Sequence, residues 1–202
     1  MLCRGLVHCL AEDSKKVIMV GIPGVVKSTL VAKIVEILKS RQKSVSVNSF
    51  GTLMFEEAQK IGIKDRDELR KLSMDKQKNL QKKAAEKISE LQDDLVIIDT
   101  HAFIITNAGF YPGLPHHVLE IINPSNFISV YARPEEIYNR RMKDTTRNRD
   151  IVSIDSIKKE MAISDAMLSS CAVYSGSPMK PVFNTEGKVE EAANTVISAI
   201  EI

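Results

Sequence analysis

The chain has no tryptophan, few other aromatic residues and only three cysteines among its 202 residues. Phe, Trp and Tyr together make up 5% of it. That is too little for the row of stacking platforms that single-stranded nucleic acid requires. Cys3, Cys9 and Cys171 are odd in number and widely spaced. They form neither a disulfide framework nor a zinc-ligand pattern, and they suit a reducing, cytoplasmic setting. Acidic and basic residues nearly cancel, leaving a net charge of +2, which argues against a nucleic-acid surface. No apolar run approaches the ~20 residues of a membrane span, and there is no internal repeat or low-complexity tract. Residues 1–16 carry Arg4 and a short apolar patch, Leu6 to Leu10, interrupted by His8 and followed by Glu12 and Asp13. This reads as a frayed, disordered N-terminal extension rather than a signal peptide, because no small-residue cleavage pattern follows.

What is present is ordinary for one globular domain: 44% hydrophobic and 27% charged residues. The informative stretch is Val17 to Ser28, Val-Ile-Met-Val-Gly-Ile-Pro-Gly-Val-Val-Lys-Ser. A short apolar run predicts a buried strand over Val17 to Val20. It breaks at Gly21, and apolar residues at helical spacing follow over Ser28 to Ser40. Strand, glycine-bearing turn and Lys-Ser at a helix start are the layout of a phosphate-binding P-loop. Successive backbone N–H groups converge on an anion there, and the helix N-terminus adds partial positive charge. Lys27 would reach the β- and γ-phosphates and the Ser28 hydroxyl would ligate Mg²⁺. Gly21, Gly24, Lys27 and Ser28 fit the pattern, but Val26 stands where the last glycine belongs. A β-branched residue suits a left-handed backbone poorly. An ordinary strand–turn–helix with a surface lysine is the plainer alternative.

Further along, Val45 to Phe50 predicts a strand, Leu53 to Ile61 a helix and Asp75 to Leu91 a long helix. Between them, Arg66 and Arg70 sit four residues apart in a charged helical segment. They form either a solvated face or a two-guanidinium phosphate clamp. Leu95-Val96-Ile97-Ile98-Asp99 is an apolar strand that delivers a carboxylate to its C-terminal end, the Walker-B pattern beside a P-loop. Thr100 and His101 follow at the same edge; a histidine there serves either as a structural hydrogen-bonder or as an acid or base. Gly109, Pro112, Gly113 and Pro115 predict a loop over 108–115. A helix over His116 to Ile122, a strand over Phe127 to Tyr131 and a helix opened by Pro134 come next. Arg140, Arg141, Arg147 and Arg149 lie on that helix or in the polar stretch after it, which reads either as an exposed turn or as an arginine-bearing lid. Asp155 to Tyr174 is helical, Pro181 to Asn184 a strand and Val189 to Ile200 an amphipathic helix. Strands alternating with helices predict a five-stranded parallel sheet flanked by helices, an α/β three-layer arrangement with ligands at the C-terminal strand ends.

Six segments together resemble the archaeal-type adenylate kinases. They are Gly-Ile-Pro-Gly-Val at 21–25, Phe-Gly-Thr-Leu-Met-Phe-Glu at 50–56 and Asp-Arg-Asp-Glu-Leu-Arg-Lys-Leu-Ser at 65–73. Ile-Asp-Thr-His-Ala at 98–102, Tyr-Pro-Gly-Leu-Pro at 111–115 and Thr-Arg-Asn-Arg at 146–149 complete the set. The resemblance implies a P-loop nucleoside monophosphate kinase domain over 17–202, with an AMP-binding region at about 50–92 and a lid at about 140–153. It implies the reaction ATP + AMP ⇌ 2 ADP with Mg²⁺, in the cytoplasm, by a homotrimer, with no nucleic-acid or membrane partner. Carried over by position, Gly21, Ile22, Pro23, Gly24, Val25, Val26, Lys27, Ser28, Thr29 and Arg140 would bind ATP. Arg66, Arg70, Thr100 and His101 would bind AMP, Ser28 and Asp99 would serve Mg²⁺, and Lys27, Arg141, Arg147 and Arg149 would be catalytic. Val26 and the extension depart from the family pattern. Two alternatives stay open: another nucleoside monophosphate kinase, and a nucleotide-binding protein whose turnover Val26 weakens.

Overall fold

A computed structural model describes residues 14–69, 71–106, 109–143 and 153–202. Of the expected N-terminal extension, residues 1–13 lie outside the described residues; so do Arg70, Arg147 and Arg149 and most of the expected lid. The first strand, β1 (Lys15–Val20), starts earlier than the expected Val17. Two polar contacts explain this. Ser14 Oγ donates to the Asp93 carbonyl at 2.6 Å, and Lys15 Nζ donates to the Ile200 carbonyl at 2.6 Å.

After β1 come α1 (Lys27–Ser40), β2 (Val45–Ser49), α2 (Phe50–Gln59), α3 (Arg66–Leu69), α4 (Met74–Ser89) and β3 (Leu95–Thr100). The remaining elements are β4 (Phe103–Thr106), β5 (Gly109–Pro112), α5 (His116–Ile122), β6 (Asn126–Tyr131), α6 (Pro134–Lys143), α7 (Ile154–Ser175), β7 (Met179–Phe183) and α8 (Val189–Ile200). The five-stranded sheet has the order β2-β3-β1-β6-β7, and every neighbouring pair is parallel. The chain runs out to β2 on one side, returns to β3, and then crosses β1 to build β6 and β7. The order therefore reverses around β1, and the crevice outside the strand ends at that point is where such sheets bind ligands.

Period-two alternation along buried strands sorts the core into two layers. Val17, Met19, Leu95, Ile97, Ile128 and Val130 pack with Leu30 and Ile34 of α1 and Val196 and Ile200 of α8. Ile18, Val20, Val96, Ile98 and Phe127 face the other way, onto Ala84 and Ile88 of α4, Val118 of α5 and Leu168 of α7. The long α7 is started by a reciprocal cap. Ser153 Oγ accepts from the Ser156 N–H, and Ser156 Oγ accepts from the Ser153 N–H.

One expectation fails. Of the loop expected over 108–115, the described residues 109–115 are not a plain loop: β5 pairs antiparallel with β4, Phe103 opposite Pro112 and Thr106 opposite Gly109. The glycines and prolines punctuate the segment, but β-branched and aromatic side chains decide it. Phe103 and Phe110 meet edge to face with ring centroids 4.9 Å apart. Pro112 is tolerated because it stands at the end of a two-stranded edge. Gly113 then crosses so close to β3 that a Cβ on it would lie 2.0 Å from the His101 carbonyl oxygen. That contact fixes the backbone where β3 ends.

Candidate functional site

β1 and β3 run in register, Met19 opposite Asp99 and Val20 opposite Thr100. Gly21 therefore leaves the sheet beside His101. A Cβ on Gly21 would sit 2.7 Å from Val25 Cγ2 and 3.1 Å from the Val130 carbonyl oxygen, so the turn closes only with glycine there. Gly24 has φ 100°, and a Cβ on it would meet Ile137 Cγ2 at 3.0 Å. Val26 occupies the left-handed region, φ 58° and ψ 43°, at the N-cap of α1, without a side-chain cap. A β-branched residue held there costs about 1–3 kcal/mol.

Four successive loop carbonyls are held by side chains from distant parts of the chain. Arg141 Nε donates to the Pro23 carbonyl at 2.8 Å, and Arg140 Nη1 donates to that of Gly24 at 3.2 Å. Asn184 Nδ2 donates to the carbonyls of Val25 at 3.0 Å and Val26 at 3.1 Å. With these carbonyls held by side chains and the Val25 N–H donated to the Ile22 carbonyl at 3.4 Å, the turn is braced in one shape, which an anion nest needs. Arg141 is itself fixed by a two-pronged pair with Glu160 on α7, at 3.2 and 2.8 Å. Arg140 lies 3.5 Å from Glu136 one turn earlier on α6.

Lys27 is buried at 9% exposure. Its ammonium lies 2.7 Å from Asp99 Oδ1, donates to the Thr100 carbonyl and reaches the Met19 carbonyl at 3.4 Å. Burial lowers its pKa from the usual lysine value, and the Asp99 charge and hydrogen bond partly oppose that shift. Apart from this ion pair, no well-aligned hydrogen bond from the described residues reaches Asp99 Oδ1. Ser28 is exposed, and it shares with Asp99 a cleft of about 360 Å³ whose other walls are Val31, Ala32, Val35 and Val47. A hydroxyl and a carboxylate converging on one cleft are hard oxygen donors of the kind Mg²⁺ takes.

On the acceptor side, Arg66 stands on α3. Its Nη2 donates to Thr52 Oγ1 at 2.7 Å, and its guanidinium lies 5.6 Å from the Phe55 ring centre, so it is tied to α2. Thr100 is buried and His101 exposed where β3 ends. The structure thus gathers Gly21 to Thr29, Asp99, Thr100, Arg140 and Arg141 about one turn, and sets Arg66 on the helices that follow β2. Two residues at this site went unread in the sequence, Asn184 and Glu160. Asn184 carried a usable signal, a polar residue ending a strand at the ligand edge; Glu160 carried none.

Residues 20–158 match the family model described as an AAA domain. An adenylate kinase of Thermoplasma acidophilum is 41% identical over 186 residues, covering 92% of this chain and 98% of the relative. One from Methanocaldococcus jannaschii is 37% identical over 190 residues, covering 93% and 99%. The chain belongs to the adenylate kinase family. Among solved structures, shikimate kinase from Acinetobacter baumannii superposes with a TM-score of 0.59 at 15% identity, covering 94% of each chain. Shikimate kinase from Bacteroides thetaiotaomicron gives 0.57 at 14% identity, covering 93% of this chain and 99% of its own. At such identities only the P-loop kinase fold is shared. Its left-handed Val26 departs from the glycine of the P-loop pattern, and the side chains that hold the loop bear directly on that residue.

Proposed function

We propose that the chain catalyses reversible, Mg²⁺-dependent phosphoryl transfer from ATP to AMP, giving two ADP. The observation that carries this reading is the convergence of Lys27, Ser28 and Asp99, with Lys27 Nζ 2.7 Å from Asp99, beside a turn whose carbonyls are held by Arg140, Arg141 and Asn184. The turn and the start of α1 cradle the ATP phosphates through backbone N–H groups. Lys27 exchanges Asp99 for phosphate oxygens when ATP binds. That exchange frees the carboxylate, and Ser28 and Asp99 are the residues that would hold Mg²⁺, whose charge draws density from the transferring phosphoryl group. Arg66, Arg70, Thr100 and His101 receive AMP, and Arg147 and Arg149 supply cations over the transferring group, with Arg140 and Arg141 at the base of their segment. Among the described residues no helix is long and apolar enough to cross a membrane. A cytoplasmic homotrimer is the form proposed.

The strained Val26 favours a second reading, nucleotide binding with weak turnover. A coupled assay with AMP, CMP, UMP and GMP as acceptors separates the readings. Rapid turnover with AMP and little with the others supports the adenylate kinase reading. Preference for another acceptor reassigns the acceptor site. ATP binding without turnover on any acceptor leaves the second reading.

A further inference from the structure

We propose that Asn184 is a positioning residue that holds Val26 in its left-handed conformation and so presets the phosphate loop. The inference rests on the reading of this loop as the ATP site. Asn184 follows the last residue of β7, is 5% exposed, and its own N–H donates to the Tyr131 carbonyl at 2.8 Å. The residue is therefore anchored to the sheet before its side chain does anything. Its amide then gives both hydrogens away, one to the carbonyl of Val25 and one to that of Val26. Two acceptors facing one amide fix its orientation, because only the NH₂ end satisfies both. These carbonyls flank both dihedrals of Val26, so the pair of bonds restrains the left-handed geometry at φ 58°.

Without that amide, the Val25 carbonyl loses its donor and the Val26 carbonyl keeps only the long bond from the Leu30 N–H at 3.5 Å, and valine has every reason to return to negative φ. Such a return rotates the peptide between Val26 and Lys27. It turns the first N–H of α1 away from the anion site and shifts the root of the Lys27 side chain. Glycine at position 26 would hold the same φ unaided. Asn184 and Val26 should therefore be coupled, and the coupling should appear in nucleotide affinity rather than in the acceptor site.

The test is a cycle of four proteins: the chain itself, Asn184→Ala, Val26→Gly and the double variant. Calorimetry reads the ATP dissociation constant, and steady-state kinetics reads kcat/KM for ATP and KM for AMP. Asn184→Ala should weaken ATP about tenfold, the scale of losing two partly buried hydrogen bonds, with KM for AMP unchanged. In the Val26→Gly background the same change should weaken ATP by about twofold or less. Asn184→Leu, which keeps the volume and lacks the donors, should behave like Asn184→Ala, and it stands in if the alanine protein does not fold. Equal losses in both backgrounds overturn the proposal, as does wild-type ATP affinity in Asn184→Leu. If the unmodified chain binds ATP but transfers no phosphate, the kinase reading fails while the cycle still decides the role of Asn184. If it binds no ATP, both fall.

Discussion

Replacing the buried pair Arg141–Glu160 separates stability from nucleotide binding, because one side chain serves both. The Arg141 side chain is 5% exposed and that of Glu160 19%. The guanidinium touches Glu160 with two nitrogens and Pro23 with the third. Changing Glu160 to leucine leaves a charge sealed in protein with only a carbonyl for company. Breaking a buried pair from one side costs about 3–5 kcal/mol, which in a chain of this size lowers Tm by roughly 6–20 °C. Arg141→Met keeps the aliphatic stem and leaves the less buried carboxylate with some access to water, so its cost is lower, about 2–4 kcal/mol. In the double variant no charge is buried alone. Its loss should fall short of the sum of the singles by at least about 2 kcal/mol, well beyond the ~0.5 kcal/mol of independent sites. ATP affinity should follow a different pattern. The double variant still lacks the donor to Pro23, so it recovers stability and not binding. Urea unfolding gives the first quantity and calorimetry with ATP the second. Additive stabilities, or an ATP affinity that returns with stability, would refute the argument that Arg141 holds the loop.

Lys27→Ala should leave the fold intact and reduce phosphoryl transfer by a factor of 100 or more, the scale of losing about 3–4 kcal/mol of preorganised charge; near-normal turnover in a folded variant would contradict the site. Val26→Gly should raise stability by about 0.5–2 kcal/mol, since relief of left-handed strain outweighs the added freedom of the unfolded chain, and thermal unfolding checks the sign. Glu57, 5% exposed in its side chain, has its pKa lowered to about 2 by hydrogen bonds from Lys60 and then Lys87. Its folded pKa lies below the ordinary 4.5, so its stabilisation is complete above that value and is lost as pH falls through about 2. A series of Tm values across this range should show the loss, and Glu57→Gln should flatten that part of the profile.

Sequence periodicity located the sheet, its helices and the turn at Gly21, because those depend on which residues are apolar within a short window. Val17 to Val20 and Leu95 to Ile98 are buried whatever surrounds them, and both lie in the central strands. The β4–β5 pair escaped because glycine and proline outweighed the short aromatic and β-branched run Phe103 to Thr106 in a local reading. The contacts behind the loop escaped for another reason. Asn184 meets Val25 across 159 positions and Arg141 meets Pro23 across 118. No local pattern specifies a partner at such a distance, and a lysine or asparagine at the same place would read equally well as a surface residue. Lys27 stood out through the motif alone, yet its ion pair with Asp99 follows from the register of β1 and β3 rather than from the motif.

The same geometry explains why the glycine pattern is broken at position 26 and nowhere else in the turn. Gly24 has φ 100°, outside the small left-handed basin near +50 to +70° that an L-residue can enter. A side chain there would also press on Ile137 at 3.0 Å. Gly21 has no room for a Cβ against Val25 and the Val130 carbonyl. Position 26, with φ 58° and ψ 43°, falls inside that basin, so valine is strained there but not forbidden. A strained residue persists when its surroundings over-determine it. Here Asn184 holds the carbonyls of Val25 and Val26, Arg140 that of Gly24, and the Arg141–Glu160 pair that of Pro23. Substitution is thus confined to the one position in the turn where the backbone admits it and neighbouring side chains resist its relaxation.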